Sequence, residues 1–408
     1  MTSLVPVLQK GHVAKCSRCR SVIYQKSQYS FHSILALCLT SLIIIYPAFT
    51  YPLFSMLMLG ITEHTSLISG MLMLLLGTDP LVGGVVLFCG VIAPLFLLLT
   101  ITFSTVCLIY GYLPSYLPKV FKITGKLTHW SMLDVYLLSL MVSIAKLMHY
   151  ADLHLDVGFY FFVSLILINV AILSAYSNSH YWNKYLQAKN KGNAKNEDVY
   201  DAKSKAGLTG MEQGLQVCNI CSAISKSKEH PKCCPICSNN ITVRKFDSLQ
   251  KTWALLVAGV IFIIPANLYP ITYFLKNNIA TPDTIFSGIL SLYNSDMAVI
   301  ATVVFLASIV IPVLKIIILG TVALSVQLKW DINEQQRLFA FNVVEFIGKW
   351  SILDLFVISI MVSVFDRGAL LAAYTGPGAA FFTLTVLVTL FAANSFDTRL
   401  IWDSKRHG

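Results

Sequence analysis

Apolar runs alternate with short polar stretches along the whole chain, and eight of the runs approach or exceed the ~20 residues a helix needs to cross a bilayer. They predict spans at 33–54, 82–110, 131–149, 157–176, 253–275, 297–326, 349–365 and 378–395. Two shorter apolar segments, 65–77 and 283–293, are too short to cross and are expected to be interfacial or re-entrant helices. The first span follows a polar, cysteine-containing stretch, so it does not read as a cleavable signal peptide. Hydrophobic residues are 56% of the 408 and charged residues 12%, with a mean hydropathy of +0.70, which places the chain among integral membrane proteins.

The spans fall into two sets of four. Trp130-Ser131-Met132-Leu133-Asp134 returns 220 residues later as Trp350-Ser351-Ile352-Leu353-Asp354, each followed by an apolar run. At an offset of 218, Pro47 and Pro52 match Pro265 and Pro270, Ser69-Gly70 matches Ser287-Gly288, and Pro94 matches Pro312. An even number of spans separates the copies, so the repeat is parallel rather than inverted. The expected fold is an all-α integral membrane protein, a tandem repeat of two four-helix transmembrane modules. Its expected segments are a partial N-terminal zinc-ribbon-like piece (1–32), the first module (33–182), a linker (183–215), a zinc ribbon (216–246), the second module (247–402) and a tail (403–408).

Charge then orients the chain. The net charge is +10, but the Lys and Arg residues gather at Lys10 to Lys26, Lys119 to Lys126, Lys184 to Lys251, Lys329 to Lys349 and Arg399 to Arg406. The intervening loops carry acidic residues instead. By the positive-inside rule both termini and the linker are expected to be cytoplasmic. Anionic headgroups account for this basicity better than nucleic acid does.

Cys218-Asn219-Ile220-Cys221 and Cys234-Pro235-Ile236-Cys237 are two C-x-x-C knuckles, whose four thiolates suit tetrahedral zinc, with iron as the alternative. Cys233 competes with Cys234, which is favoured because its C-x-x-C is complete. At an offset of 218, Cys16 and Cys19 match Cys234 and Cys237, but position 3 is Ser where a partner of Cys221 would stand. The N-terminal copy is therefore half a ribbon, a weaker metal candidate: truncated, decayed, or completed by His12. Cys38, Cys89 and Cys107 are expected to be packing residues.

Two charged side chains lie in the second module's apolar runs. On a helix ending near 326, Lys315 is about 16 Å from the cytoplasmic end, and Asp354 is about 7 Å from it on a helix starting near 349. The Lys stem is expected to bring the ammonium close to that carboxylate, forming a polar network for ions or lipid headgroups with Thr383, Thr385 and Thr389 nearby. Leu97 replaces Lys315 in the first module, so the second is the expected working site and Asp134 the structural counterpart of Asp354.

At these residues the chain resembles the paraquat-inducible protein A (PqiA/LetA-like) family. The resemblance rests on the four ribbon cysteines, on Trp130 through Asp134, on Lys349 through Asp354, and on Ser395-Phe396-Asp397-Thr398-Arg399 before Trp402. The first module departs from that ending, with Ser177 and Ser179 in place of Asp397 and Arg399. The resemblance implies a subunit of the bacterial inner (cytoplasmic) membrane that moves phospholipids between membranes with a periplasmic MCE-domain tunnel partner, using Lys315, Asp354 and Thr389. Proton coupling would follow from an Asp beside a Lys.

The expected function is therefore transport rather than catalysis. The chain contains no G-x-x-x-x-G-K-[ST]. A membrane thiol oxidoreductase is the enzymatic alternative, but it needs a cysteine pair in the outside loops, which contain none. An ion or solute carrier is the third reading; against it stand the parallel repeat and the expected lack of midplane helix breaks.

Overall fold

The computed structural model describes residues 12–16, 22–25, 29–58, 61–77, 79–147, 152–190, 215–218, 220–221, 224–226, 233–234, 236–241, 244–276, 279–330, 333–365 and 371–403. The protein is helical, and eight of its described helices are long and apolar enough to cross a bilayer. Cys19, most of the linker and the tail lie outside the described residues.

The chain opens with β1 (Val13–Lys15) and β2 (Val22–Gln25), then α1 (Phe31–Thr50), β3 (Phe54–Met58), β4 (Ile61–Thr65) and α2 (Leu67–Leu76). The second span is α3 (Pro80–Leu87), a π-helical turn at Phe88–Ile92, and α4 (Ala93–Tyr110). The third is α5 (Leu117–Trp130) and α6 (Leu133–Leu147); β5 (Asp152–Leu155), α7 (Val157–Ala175) and α8 (Asn178–Asn190) close the repeat. After β6 (Leu215–Val217) and β7 (Ile224–Lys226) of the ribbon, the order recurs. It runs α9 (Ser248–Leu268), β8 (Thr272–Lys276), β9 (Ile279–Asp283), α10 (Ile285–Asn294) and α11 (Ala298–Phe305). A π turn at Leu306–Val310 leads into α12 (Ile311–Gln327), then α13 (Glu334–Gly348), a 3₁₀ turn at Lys349–Ile352, α14 (Leu353–Phe365), β10 (Leu371–Thr375), α15 (Pro377–Ser395) and α16 (Leu400–Asp403).

Three features differ from the expectation. The first is the pair of three-stranded antiparallel sheets, β4-β3-β5 and β9-β8-β10, in the loops between spans. Their registers place Met58 opposite Ile61 and Lys276 opposite Ile279. The short apolar segments beside them are the helices α2 and α10. The second is the π turn ahead of Pro94 and Pro312. Ala93 N–H donates to Phe88 O and Ile311 N–H to Leu306 O, five residues back, which absorbs a proline that has no N–H and crowds the preceding turn.

The third difference corrects the expected spans at 131–149 and 349–365. The helical spans begin earlier, Leu117–Ile144 and Glu334–Ser363, and both are interrupted. Extended Ser131 separates α5 from α6, and the 3₁₀ turn at Lys349–Ile352 separates α13 from α14. The repeated Trp-Ser-x-Leu-Asp stretch is thus a helix break, and each Asp falls in the first turn of the helix that follows. Helix breaks therefore occur in both repeats, which removes that argument against a carrier.

The chain forms two compact units, residues 1–43, 94–131 and 167–244, and residues 44–93, 132–166 and 245–408. In the first, Phe121, Tyr181 and Trp182 are buried, with Phe121 edge-on to Trp182 at 5.1 Å and Thr105 Oγ1 2.7 Å from Tyr181 OH. In the second, α9 packs along α15, and α14 lies against α6 and α2. Leu256, Leu319, Val322, Phe341, Ala392 and Phe396 form a continuous apolar cluster there.

The motif Ser395 to Arg399 is a clasp on the start of α9. Ser248 Oγ donates to Ser395 O at 2.8 Å and accepts from Asp397 N at 2.8 Å, while Asp397 Oδ2 accepts from Lys245 N at 3.0 Å. Lys245 Nζ donates to Asn394 O at 2.6 Å, a cation on the carbonyl end of α15. Burial lowers the Lys245 ammonium below its ordinary value, against the pull of Asp397 and Glu345.

Candidate functional site

Lys315 is 3% exposed in the middle of the α11–α12 span, and among the described residues its Nζ has no hydrogen-bond partner. Its stem lies over Gly348 on α13, where a Cβ would stand 3.3 Å from both Cε and Nζ. Gly348 also faces Leu390 of α15, while Gly259 of α9 faces Ile316 and the Thr389 methyl. Residues 315–316 of α12 therefore lie level with residues 389–390 of α15. Lys315 and Thr389 share one layer of the bundle. The hydroxyls of Thr383, Thr385 and Thr389 donate to Ala379 O, Phe381 O and Val386 O of their own helix, which leaves their lone pairs as acceptors.

Asp354 lies in another layer. It is half-buried and lines a cavity of about 60 Å³ with Thr272, Asp283, Thr284, Val304 and Ser308. A space of that size holds roughly four water molecules. Ser308 is seven residues before Lys315, and Asp354 six residues after Gly348, so the two charged groups are offset by about 9–10 Å along the helices. The expected meeting of the Lys315 ammonium and the Asp354 carboxylate does not occur. The reason is the early start of α13, which puts Gly348 rather than Asp354 beside the lysine. Asp134, the repeat-equivalent of Asp354, is exposed.

Three polar residues here were not singled out as site residues from the sequence. Ser308 lies in the π turn and donates to Val304 O at 2.7 Å; its counterpart is Gly90, a difference between repeats that the 218-residue offset exposes. Ser351 Oγ is buried without a hydrogen-bond partner among the described residues, as is Ser131 Oγ at the equivalent position. Asp283 reads in sequence as a loop acid, but it ends β9, accepts from Ser287 Oγ at 2.6 Å and faces the cavity.

The second candidate centre is the ribbon. The Sγ atoms of Cys218, Cys221, Cys234 and Cys237 lie within 4.8 Å of one another, with Cys218 to Cys237 and Cys221 to Cys234 each 3.5 Å. Tetrahedral thiolate ligation with Zn–S near 2.3 Å sets sulfur separations of about 3.8 Å, so the four fit a metal ion. Burial pushes the Cys218 thiol up, but backbone N–H groups of Cys221 and Ile220 and the neighbouring thiols outweigh it, leaving the group below its ordinary value. Cys233 is exposed and donates to Asn240 Oδ1 at 3.3 Å, away from the cluster. Ser238 takes a left-handed conformation, φ 53°, to bring its N–H to Cys234 O. Lys122 Nζ on α5 donates to Asn239 Oδ1 at 2.7 Å, tying the knuckle to the amphipathic helix. Cys16 is partly exposed.

The family profile described as "Paraquat-inducible protein A" matches residues 31–185 and 249–406, both repeats without the ribbon between them. The chain is 32% identical over 405 residues to "Lipophilic envelope-spanning tunnel protein A" of Escherichia coli (strain K12), covering 99% of this chain and 90% of that one. It is 29% identical over 402 residues to "Probable intermembrane transport protein" of Haemophilus influenzae, covering 97% and 92%. It is 28% identical over 409 residues to "Intermembrane transport protein PqiA" of Escherichia coli (strain K12), covering 99% and 94%. No solved structure matches the chain. With both repeats matched and near-complete coverage of these relatives, the chain belongs to the paraquat-inducible protein A family of multi-pass membrane proteins.

Proposed function

We propose that this protein passes phospholipids between the bilayer and a periplasmic MCE-domain tunnel partner, as the inner-membrane subunit of an intermembrane transport system. The observation that carries the reading is Lys315, a cation buried mid-span, level with Thr389 and without a hydrogen-bond partner among the described residues. An uncompensated buried charge costs several kcal/mol, so a membrane helix that keeps one has a use for it. A phosphate headgroup is an anion that a lysine accepts as a point charge. Asp354, about two turns away, lines a mostly apolar cavity that also holds Asp283, Thr272, Thr284 and Ser308, and an acid among those groups supports coupling to proton movement.

The names of the relatives, a tunnel protein and intermembrane transport proteins, support this class of function over catalysis. With the basic linker and termini cytoplasmic, the two three-stranded sheets face the periplasm, where a tunnel partner would dock. Zinc is the proposed metal of the ribbon and its role there is structural, holding the two knuckles together. A thiol oxidoreductase is the weaker reading, because all four ribbon thiols converge on one tetrahedral site.

The test is a lipid-transfer assay between vesicles with the full-length protein and its MCE-domain partner. Lys315→Ala and Asp354→Asn are expected to slow transfer at least several-fold. Unchanged transfer in both variants would overturn the assignment of these residues.

A further inference from the structure

Helices α10 and α11 stand in a different relation from their counterparts α2 and α3. In the first repeat Gly83 brings the two backbones together: a Cβ there would lie 2.4 Å from Leu75 N. No side chain fits between the helices at that level. In the second repeat the positions of Gly83 and Gly84 are taken by Ala301 and Thr302, whose side chains line a groove of about 250 Å³. Phe286, Leu290, Tyr293 and Phe305 form its walls. The replacement of two glycines thus accompanies a groove in the module that also holds Lys315.

The groove is apolar. The hydroxyl of Thr302 is donated to Ala298 O at 2.8 Å. Phe286 and Tyr293 are each 63% exposed, a large apolar area to leave facing water. The groove sits at the mouth of the Ala298–Gln327 span and runs on into its outward-facing surface, where Val299 is 79% and Leu306 45% exposed. A span surface this apolar is expected to meet hydrocarbon, which makes the acyl region of the bilayer the medium next to the groove. On the opposite face of the same helix pair, Ile285, Gly288, Val304 and Ser308 line the cavity that Asp354 enters.

We propose that the α10–α11 groove is a subsite for one hydrocarbon chain of a bilayer lipid, held against the helix pair that separates it from the Asp354 cavity. The proposal rests on the lipid-handling reading above and supplies its chain-binding site. Phe286, Tyr293 and Phe305 provide flat apolar walls, and Ala301 with Thr302 sets the width.

The experiment uses the full-length protein in proteoliposomes containing a trace of phosphatidylethanolamine with a photoactivatable diazirine in one acyl chain. Adducts are mapped by mass spectrometry. Segment 286–305 is expected to label several-fold more than its repeat-equivalent 68–87, which meets the same bilayer. Thr302→Phe, which fills the groove, and Leu290→Asp, which places a charge in it, should each lower that labelling several-fold. Val299→Phe, outside the groove, should leave it unchanged. All three positions are exposed, so the variants are compatible with the fold. Equal labelling of the two segments, or labelling indifferent to both groove variants, would mean annular lipid only and overturn the proposal. Cross-linking of the groove to a second copy or to another protein in place of lipid would overturn it as well. No net transfer is needed for the readout, so this test and the transfer assay fail independently.

Discussion

Tyr136 and Phe356 hold the same place in the two repeats and meet each other edge to face, ring centroids 4.5 Å apart and planes at 85°. Both are fully buried, Tyr136 on α6 and Phe356 on α14, so matched positions of the two repeats meet in one aromatic contact. Replacing either by Ala should cost about 3–5 kcal/mol. The double replacement should cost less than the sum by about 0.5–1.5 kcal/mol, because the two rings share one interaction. Equilibrium unfolding in detergent of the two single variants and the double variant reads this directly.

Lys315 distinguishes a functional cation from a snorkelling one. A buried ammonium with no partner among the described residues is a stability cost, so Lys315→Met should raise stability by about 1–3 kcal/mol while lipid transfer falls. A lysine kept only for packing would show the reverse: lower stability and intact transfer. Thermal unfolding and vesicle transfer measured on one preparation separate the two.

Metal content follows from the four converging thiols. The purified protein should carry about one zinc per ribbon, and Cys221→Ser should reduce it to background, as tetrahedral sites rarely hold with a ligand missing. Cys233→Ser should leave the content unchanged, since that thiol bonds to Asn240 instead. Elemental analysis of the three proteins checks both.

The clasp at the end of α15 should be worth measuring. Asp397→Ala removes acceptors from Lys245 N and Arg399 N in a buried setting. The expected loss is about 1–3 kcal/mol for the donors left unpaired. Metal content should not change, because none of the four ribbon cysteines bonds to Asp397. A shift in unfolding midpoint with constant zinc is the outcome to look for.

Asp79, just ahead of the α3–α4 span, gives stability a pH dependence. Burial raises its carboxyl above the ordinary value, partly opposed by a hydrogen bond from Thr375. An acid with a raised folded pKa keeps its proton better when folded. Stability is therefore full below the unfolded value of about 3.9 and declines as pH climbs through the raised one. Asp79→Asn should flatten that decline, and melting curves across the acid range measure it.

Much of this architecture was legible from residue order. Eight long apolar runs, the matched prolines, and C-x-x-C spacing are local signals, and each follows from a local requirement. A run of apolar residues must cross hydrocarbon as a helix because its backbone groups have no other partners. Two C-x-x-C knuckles close in sequence need little tertiary help to converge on a metal.

Other features depend on partners far along the chain. The strands of the two sheets are only four or five residues long, and β5 and β10 join about a hundred residues after the hairpins they extend, so nothing local marks them as strands. Lys119 to Lys126 reads in sequence as a basic cytoplasmic segment between spans, yet 117–130 is an amphipathic helix leading into the third span.

The sequence by itself determined that a cation and an acid would both lie within apolar runs of the second module, Lys315 well inside one and Asp354 near the start of another. Only the tertiary structure decided that they stand about two turns apart, Lys315 over Gly348 and Asp354 at the Ser308 cavity. The axial register of neighbouring helices is set by where each helix starts and breaks and by which small residues admit close approach. Those are properties of packed surfaces rather than of any one segment.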